Sequence, residues 1–448
     1  MTDTKLLIVA DDLTGGLDTG VQFARQGITV RVIADPDPGG AWTRTKAQVL
    51  VAVSESRHMP PAAAYETVYR IVSAGRRAGI PYLYKKTDSA LRGNIGAELD
   101  AALKASGAEV LSFLPAYPAM NRVTVDGCHY IDGVPVAQSV FGRDPFDPVV
   151  ESDVRKLIAG QTGTPVSSEG ESGAGILVVN AQSGEDLLAA GQRLLAKGYL
   201  SVSAGCAGFA AFLPELLGLQ KREVPGEEET PGAGGTLGTG EEETPGAGGI
   251  LGTGDPDLGD SLLVISGSLN PVTMRQIEFA QNNGFARTCP MPGPEGAAER
   301  TEALLRKEKW VILDSSGIDP EEKAFRDYIR GKGIESGEAR VLIAAYLAEI
   351  LAEIESSYKG TVMVIGGDTL LACLRRLGCR DLEPMAELFP GVVLSRCRIG
   401  EKEKFFICKS GGFGSGTLLA DLREMMEAAK RPAGMEIDNR SGIVHDRR

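Results

Sequence analysis

The chain has 448 residues and a formal net charge of −13, from 47 basic and 60 acidic side chains. Hydrophobic residues make up 43% and charged residues 24%, which excludes wholesale disorder. No apolar run nears the roughly 18 residues of a membrane helix, and residues 1–12 do not form a secretory signal.

At roughly 150 residues per domain, the length suggests two or three domains. Seven Cys are scattered singly with no CxxC, which argues for reduced thiols and against a disulfide framework or a structural zinc. These features predict a cytoplasmic chain with no membrane partner.

In the N-terminal part, Lys5–Ala10 (KLLIVA) reads as a strand, and Leu13, Leu17, Val21 and Ala24 follow at helical spacing. Further strands are expected at Thr29–Ile33, Val49–Val53, Tyr82–Lys86, Val110–Leu114 and Ile176–Val179. Helical patterns fall between most of them, at Ala62–Arg77, Ala97–Ala105 and Gly184–Ala196.

Three loops here carry chemistry. Asp11 and Asp12 follow the first strand and open a helix within Ala10-Asp11-Asp12-Leu13-Thr14-Gly15-Gly16. Such a pair can hold Mg2+ or take a proton from a hydroxyl, although one Asp alone suits a helix cap. Lys85-Lys86-Thr87-Asp88-Ser89-Ala90-Leu91-Arg92-Gly93-Asn94 follows another strand and crowds cations, a carboxylate, hydroxyls and an amide into one turn. A guanidinium there suits an anionic substrate. Asp88 or Asn94 could instead cap the next helix. The long stretch Pro115–Pro148 holds Tyr117, Asn121, Arg122, Asp126, Asp132, Arg143 and Asp144, and reads as a binding loop or as an ordered hairpin around Asp132-Gly133.

Between Glu223 and Asp260 there are seven Glu and three Asp and no Lys or Arg, so most of the net charge is local. No basic stripe elsewhere supports a nucleic-acid partner. Within this stretch Glu227–Gly240 and Glu241–Gly254 form a tandem repeat that differs only at Thr236 and Ile250. Its Gly, Pro and Glu content reads as a flexible linker. The expected organisation is an N-terminal domain over 1–220, a linker over 221–259, a C-terminal domain over 260–430 and a polar tail over 431–448.

In the C-terminal part, strands are expected at Leu262–Ile265, Trp310–Leu313, Val362–Ile365 and Phe405–Cys408. Helices are expected at Pro271–Asn282, Arg340–Ser356, Thr369–Leu377 and Thr417–Ala428. The alternation predicts an α/β protein of two domains, each a mostly parallel sheet flanked by helices, with ligands at the carboxyl ends of strands. Three glycine-containing loops precede helices: Ser266–Pro271, Gly366–Thr369 and Lys409–Gly416. Backbone N–H groups at helix N-termini make anion sites, so three such loops favour nucleotide phosphates. No GxxxxGK[ST] occurs, which excludes a P-loop kinase.

These residues resemble the four-carbon acid sugar kinase family. The matching stretches are ADDLTGGLDTGVQFA from Ala10, SESRHMPP from Ser54, KKTDSALRGN from Lys85, PAYPAMNRVTVDGCHYIDGVPV from Pro115, SGSLNPVT from Ser266, GGDT from Gly366 and KSGGFG from Lys409. The resemblance implies an N-terminal acid-sugar-binding domain and a C-terminal nucleotide-binding domain, with the active site in the cleft between them. It implies ATP-dependent phosphorylation of a terminal hydroxyl on a short sugar acid of threonate, erythronate or 2-oxo-tetronate type. By the same resemblance ATP contacts Ser268, the turn Gly366, Gly367, Asp368 and Thr369, and the loop holding Gly411 and Gly412. The family often has Thr where Ala90 stands, which removes a hydroxyl from the expected sugar site.

The mechanism expected from this assigns the substrate carboxylate to Lys86 and Arg92 with Arg57, in a substrate site that also includes Asp88, Ser89 and Asn94. Asp11 or Asp12 takes the proton of the attacking hydroxyl, and Asp368 contacts Mg2+. A homodimer is among the oligomeric states the sequence allows. Two other classes compete. An NAD-dependent hydroxy-acid oxidoreductase needs a GxGxxG after the first strand of a unit, which neither unit has. A non-catalytic nucleotide or sugar-acid sensor predicts binding without ADP release, and no output domain is recognisable.

Overall fold

Short runs of four or five mostly apolar, buried residues form most of the parallel strands of this protein. β1 (Leu6–Ala10), β3 (Val49–Val53) and β5 (Val110–Leu114) are buried at every position, as expected where helices cover both faces of a sheet. The computed structural model describes residues 3–221 and 258–429, apart from 38, 145, 146, 172, 269, 290–295, 317, 319–322, 332 and 334–337. The repeat and the polar tail lie outside the described residues.

The other strands of the N-terminal part are β2 (Val30–Ile33), β4 (Tyr82–Lys86), β6 (Arg122–Val125), β7 (Cys128–Ile131), β8 (Val134–Pro135), β9 (Val166–Ser168), β10 (Gly175–Val178) and β11 (Val202–Gly205). After the repeat come β12 (Leu262–Ser266), β13 (Ala286–Thr288), β14 (Trp310–Asp314), β15 (Thr361–Ile365), β16 (Asp381–Phe389), β17 (Val392–Ile399) and β18 (Lys402–Lys409). The described residues fall into two compact units. The first takes those within 1–241, 370–387 and 391–410, and the second those within 242–369, 388–390 and 411–448.

In the first unit the strand order is β18-β17-β16-β2-β3-β1-β4-β11-β5-β10-β9. From β2 to β9 all neighbours are parallel. β16 joins this sheet antiparallel to β2, with Asp381 opposite Ile33 and Leu382 opposite Val32. β17 and β18 pair antiparallel along their full length. The chain leaves β1 toward β2 and β3 on one side, then crosses to β4 on the other. The strand order therefore reverses at β1, and ligands of open parallel sheets bind at the carboxyl ends flanking such a point. In the second unit the order is β13-β14-β12-β15, all parallel.

Most expected elements appear within two residues of their expected bounds. The differences have physical causes. β11 (VSAG) is made of small residues with no periodic signal, and it is fully buried. β16 carries three acidic residues and Pro384, yet its buried positions partly alternate, as on a strand with one covered face. Only the last part of β18 was expected, because its first half is charged and exposed. Strands β16–β18 follow the repeat in sequence but pack with the first unit.

Pro115–Pro148 forms hairpins, among them the one expected at Asp132-Gly133. Asp126-Gly127 joins β6 to β7, and Asp132-Gly133 joins β7 to β8. All four residues have φ between 50° and 79°, the left-handed pair that a two-residue Asp-Gly turn requires.

Helix packing in this unit leaves little slack. A Cβ at Gly96 would lie 2.6 Å from the Ile158 carbonyl oxygen and 2.8 Å from the Gln161 Cβ. Gly96→Ala should therefore push helix Ile95–Ser106 off helix Val154–Ala159 and destabilise the first unit by about 1–3 kcal/mol. Chemical denaturation followed by circular dichroism would measure it.

Candidate active site

Three loops meet where the strand order reverses: those after β1, β3 and β4. Asp11 and Asp12 leave β1 as the chain turns into helix Leu13–Ala24. Asp12 is the N-cap. Its Oδ1 accepts from the Gly15 N–H at 3.1 Å, and its Oδ2 accepts from the Thr14 hydroxyl at 2.7 Å. Asp11 is buried. Arg57, from the loop after β3, binds both: Nε donates to Asp11 Oδ2 at 2.7 Å and Nη2 to Asp12 Oδ1 at 2.6 Å. The same Nη2 lies 3.8 Å from Asp88 Oδ1. Burial works against the Asp11 carboxylate, but the charges of Arg57, Lys86 and Lys85 outweigh it and hold the group below the usual carboxylate range. Asp11 Oδ1 is buried with no hydrogen-bond partner.

β4 ends in two lysines, and successive side chains of a strand point to opposite faces. Lys85 turns toward helix Ile95–Ser106 and pairs with Glu98 at 2.7 Å, both fully buried. Lys86 turns toward helix Leu13–Ala24, where Gly15 makes room for it. A Cβ on Gly15 would stand 2.8 Å from the Lys86 Nζ. That ammonium is buried and donates to the Thr87 carbonyl at 2.8 Å. No carboxylate of a described residue lies within ion-pairing distance of it.

Beyond β4 the loop closes on itself. Arg92 grips Asp88 in two bonds of 2.9 Å, Nε to Oδ2 and Nη2 to Oδ1. Its Nη1 reaches Asp144 at 3.2 Å. Burial would raise the Asp88 carboxyl, yet Arg92 and Arg57 hold it well below the usual range. Asn94 gives its side-chain amide to the carbonyls of Ser56 at 2.9 Å, Met59 at 2.8 Å and Arg57 at 3.3 Å. It makes no side-chain cap to the helix that follows. Ser89 accepts through its hydroxyl from Arg122 Nη1. Ala90 is fully buried within the apolar core cluster, so its methyl group belongs to packing.

The structure thus brings Asp11, Asp12, Arg57, Lys86, Asp88, Ser89, Arg92 and Asn94 together, as the motifs implied. It gives several of them another employment. Arg57 and Arg92 are committed to carboxylates of the chain itself, and Asn94 pins the loop that carries Arg57. Lys86 alone of the three expected cations keeps its charge unmatched at close range.

Two further residues belong here that the sequence analysis did not single out for roles. Arg122 comes from the first hairpin. Asp18 lies one turn beyond Gly15 on helix Leu13–Ala24, inside a stretch whose apolar spacing reads simply as helix. Its carboxyl is half-buried, and burial pushes its pKa up to about 6 against the opposing pull of Lys86 and Arg122.

In the second unit the three glycine loops converge. Asn270 caps helix Pro271–Asn282 by accepting from the Val272 N–H at 2.9 Å. A Cβ on Gly267 would meet the Thr369 Oγ1 at 2.2 Å, and one on Gly411 would meet the Ser268 Oγ at 2.7 Å. Thr273 Oγ1 donates to the Gly411 carbonyl at 2.7 Å. Gln276 Nε2 donates to the carbonyls of Phe413 and Ser415 at 3.0 and 2.7 Å. Gly366 has φ +104°, which favours glycine at the entry to helix Gly367–Arg376. The first turns of two helices and three glycine-containing loops form a donor set that fits a polyphosphate. Asp368 Oδ1 accepts from Arg340 Nη1 at 2.8 Å. Among the described residues no group of three His, Cys, Asp or Glu is arranged to hold a metal ion. A single carboxylate fits Mg2+ only as a ligand shared with phosphate oxygens.

This architecture is that of a two-part α/β enzyme, with a cluster of acids and cations at strand ends in one unit and converging glycine loops in the other. Residues 6–213 match the sugar-binding N-terminal domain and residues 263–419 the nucleotide-binding C-terminal domain. The chain is 28% identical to a D-threonate kinase of Salmonella typhimurium over 93% of its own length and 97% of the relative's. It is 24% identical to a 3-oxo-tetronate kinase of Methylobacterium radiotolerans, covering 93% and 98%. It is 33% identical to a D-erythronate kinase of Heliobacterium modesticaldum over 36% of each chain. A solved structure described as a putative tRNA synthase from Salmonella typhimurium LT2 shares the fold at TM-score 0.69 and 18% identity, covering 93% of this chain and 98% of that one. The chain belongs to the four-carbon acid sugar kinase family. No helix among the described residues is long and apolar enough to cross a membrane.

Two outcomes follow from the pocket. Asn94→Ala removes a donor from three carbonyls and should cost about 1–3 kcal/mol, read as a lower denaturant midpoint. The carboxyl of Asp18 is raised in the folded state, so the fold binds more protons than the unfolded chain between about pH 4 and 6, and stability falls as pH rises through that window. Asp18→Asn should melt a few degrees higher than the parent at pH 8, with the gain gone near pH 4, in a thermal-shift pH series.

Proposed function

We propose that this sugar acid kinase is ATP-dependent and phosphorylates a terminal hydroxyl of a short sugar acid of threonate, erythronate or 2-oxo-tetronate type. The observation that carries the reading is the pocket at β1, β3 and β4. There a buried ammonium, Lys86, stands without an acidic partner beside Asp11, whose Oδ1 is a buried acceptor with no donor. An acid that also carries hydroxyls answers both needs: its carboxylate meets the cation and a hydroxyl meets the carboxylate. The family and the relatives' names support the same class of substrate. The oxidoreductase and sensor alternatives have no such support.

In this reading Lys86 receives the substrate carboxylate. Arg57 and Arg92 act through the carboxylates they hold, keeping Asp11, Asp12 and Asp88 ionised and aimed. Asp11 or Asp12 accepts the proton of the attacking hydroxyl. ATP supplies the phosphoryl group. Ser268, Gly366, Gly367, Thr369, Gly411 and Gly412 hold the phosphates through backbone and hydroxyl donors, and Asp368 would help hold Mg2+, which would neutralise phosphate charge. Transfer then depends on alignment and charge more than on covalent help.

The experiment is an ADP-release screen of the full chain over tetronates, 2-oxo-tetronates and longer aldonates with Mg2+. Turnover confined to four-carbon acids is expected, and none with any aldonate would refute the reading. Asp12→Asn keeps a good helix cap, so a fall in kcat of about 100-fold or more would identify Asp12 as the base. Unchanged turnover in that variant, with the same fall in Asp11→Asn, would assign the base to Asp11.

A further inference from the structure

Arg122, like Lys86, is a cation of the first unit that no described carboxylate meets at ion-pairing distance. It opens β6 and is half-buried. Nη1 donates to the Ser89 hydroxyl, and the guanidinium lies over the Phe141 ring, 5.4 Å from its centroid. The Ser89 end of that contact is itself held. His129, buried opposite Thr124 in the hairpin, has Nε2 3.0 Å from the Ser89 carbonyl and Nδ1 3.0 Å from the Thr124 hydroxyl. A carbonyl only accepts, so Nε2 carries the hydrogen and Thr124 donates to Nδ1. Burial pushes the His129 pKa down to about 4, so the ring stays neutral and adds no competing charge.

Arg122 is therefore fixed by a hydroxyl and a ring, which leave most of its five donors uncommitted. This separates it from Arg57 and Arg92, whose forks are closed on Asp11, Asp12, Asp88 and Asp144. Arg122 also stands on the wall of a cavity of about 820 Å³, with Asn121, Phe141 and Arg143. Its charge and that of Lys86 act on the same neighbours, the Asp18 carboxyl and the Cys206 thiol. Lys86 ends β4, and Ser89, which Arg122 holds, follows three residues later, so the two cations stand at one loop. A planar fork beside an ammonium is the donor set that grips a carboxylate.

We infer that Arg122 and Lys86 together receive the carboxylate of the acid substrate, and that Arg122 makes the site select acids over neutral polyols. The inference rests on the kinase reading for the identity of the ligand, but it can be tested apart from turnover.

The full chain is compared with Arg122→Met and Arg122→Lys, using D-threonate, the neutral polyol threitol, and ATP with Mg2+. Arg122→Met should raise KM for threonate about 30-fold or more, and Arg122→Lys about 10-fold, with KM for ATP within about 2-fold of the parent. Without ATP, threonate should raise the melting temperature of the parent but not of Arg122→Met, and threitol should affect neither. A purely structural Arg122 would lower stability and leave the discrimination between threonate and threitol intact. That result, or a KM for threonate within about 2-fold of the parent, overturns the inference. If Arg122→Met does not fold, Arg122→Lys decides by the same readouts. A parent that binds threonate yet turns over no acid would sink the kinase reading alone, and the melting shifts would still decide the role of Arg122.

Discussion

The first unit depends on a lattice of charge at the carboxyl ends of its central strands. Asp11, Asp12, Asp88 and Asp144 crowd around two guanidinium groups, Arg57 and Arg92. Without those groups the carboxylates would repel one another in a poorly solvated site, and removing one partner of such a buried set is strongly destabilising. With them, loops that start at β1, β3 and β4 and the segment holding Asp144 are tied into one rigid rim. Arginine suits this because its planar fork can bond two acids at once. Arg57 does so with Nε on one Asp and Nη2 on the next.

That lattice explains why the chemistry falls to smaller or later residues. Once the arginines near β3 and β4 are closed on acids, the ammonium of Lys86 and the hairpin's Arg122 are left without a described carboxylate at ion-pairing distance. The adjacent lysines make the point. The same side chain at consecutive positions becomes an internal strut at Lys85, paired with Glu98, and a buried cation bound only to a carbonyl at Lys86. Strand alternation alone separates them.

Much of this was legible in the sequence. Apolar runs and helical spacing located the strands and helices of both units, because burial on two faces writes itself as continuous hydrophobicity. The motif loops lie at the carboxyl ends of β1, β3 and β4, where the strand reading put them. What could not be read was partnership. The motif Lys85–Asn94 shows which groups are present, but not that Arg92 folds back on Asp88 or that Asn94 reaches three carbonyls of the 56–59 loop. Asp18 was hidden by its place within a regular helix. Arg122 was hidden by a long loop whose tight Asp-Gly turns fix where the hairpin points. Strand β16 escaped because a strand whose buried positions partly alternate and that is dotted with charge carries little apolar signal.

Strands β16–β18 have a consequence for how such a protein can evolve. They are written after the acidic repeat, yet β16 lies along the β2 edge of the first sheet. A crossover within the repeat would not swap one intact body for another. It would pair the β2 border of one ancestor with a foreign β16 and leave backbone amides and carbonyls to find new register at a sheet margin, where mispairing invites aggregation. The two gene segments are thereby bound to co-inherit, and the part of the chain free to lengthen or duplicate is the stretch between them.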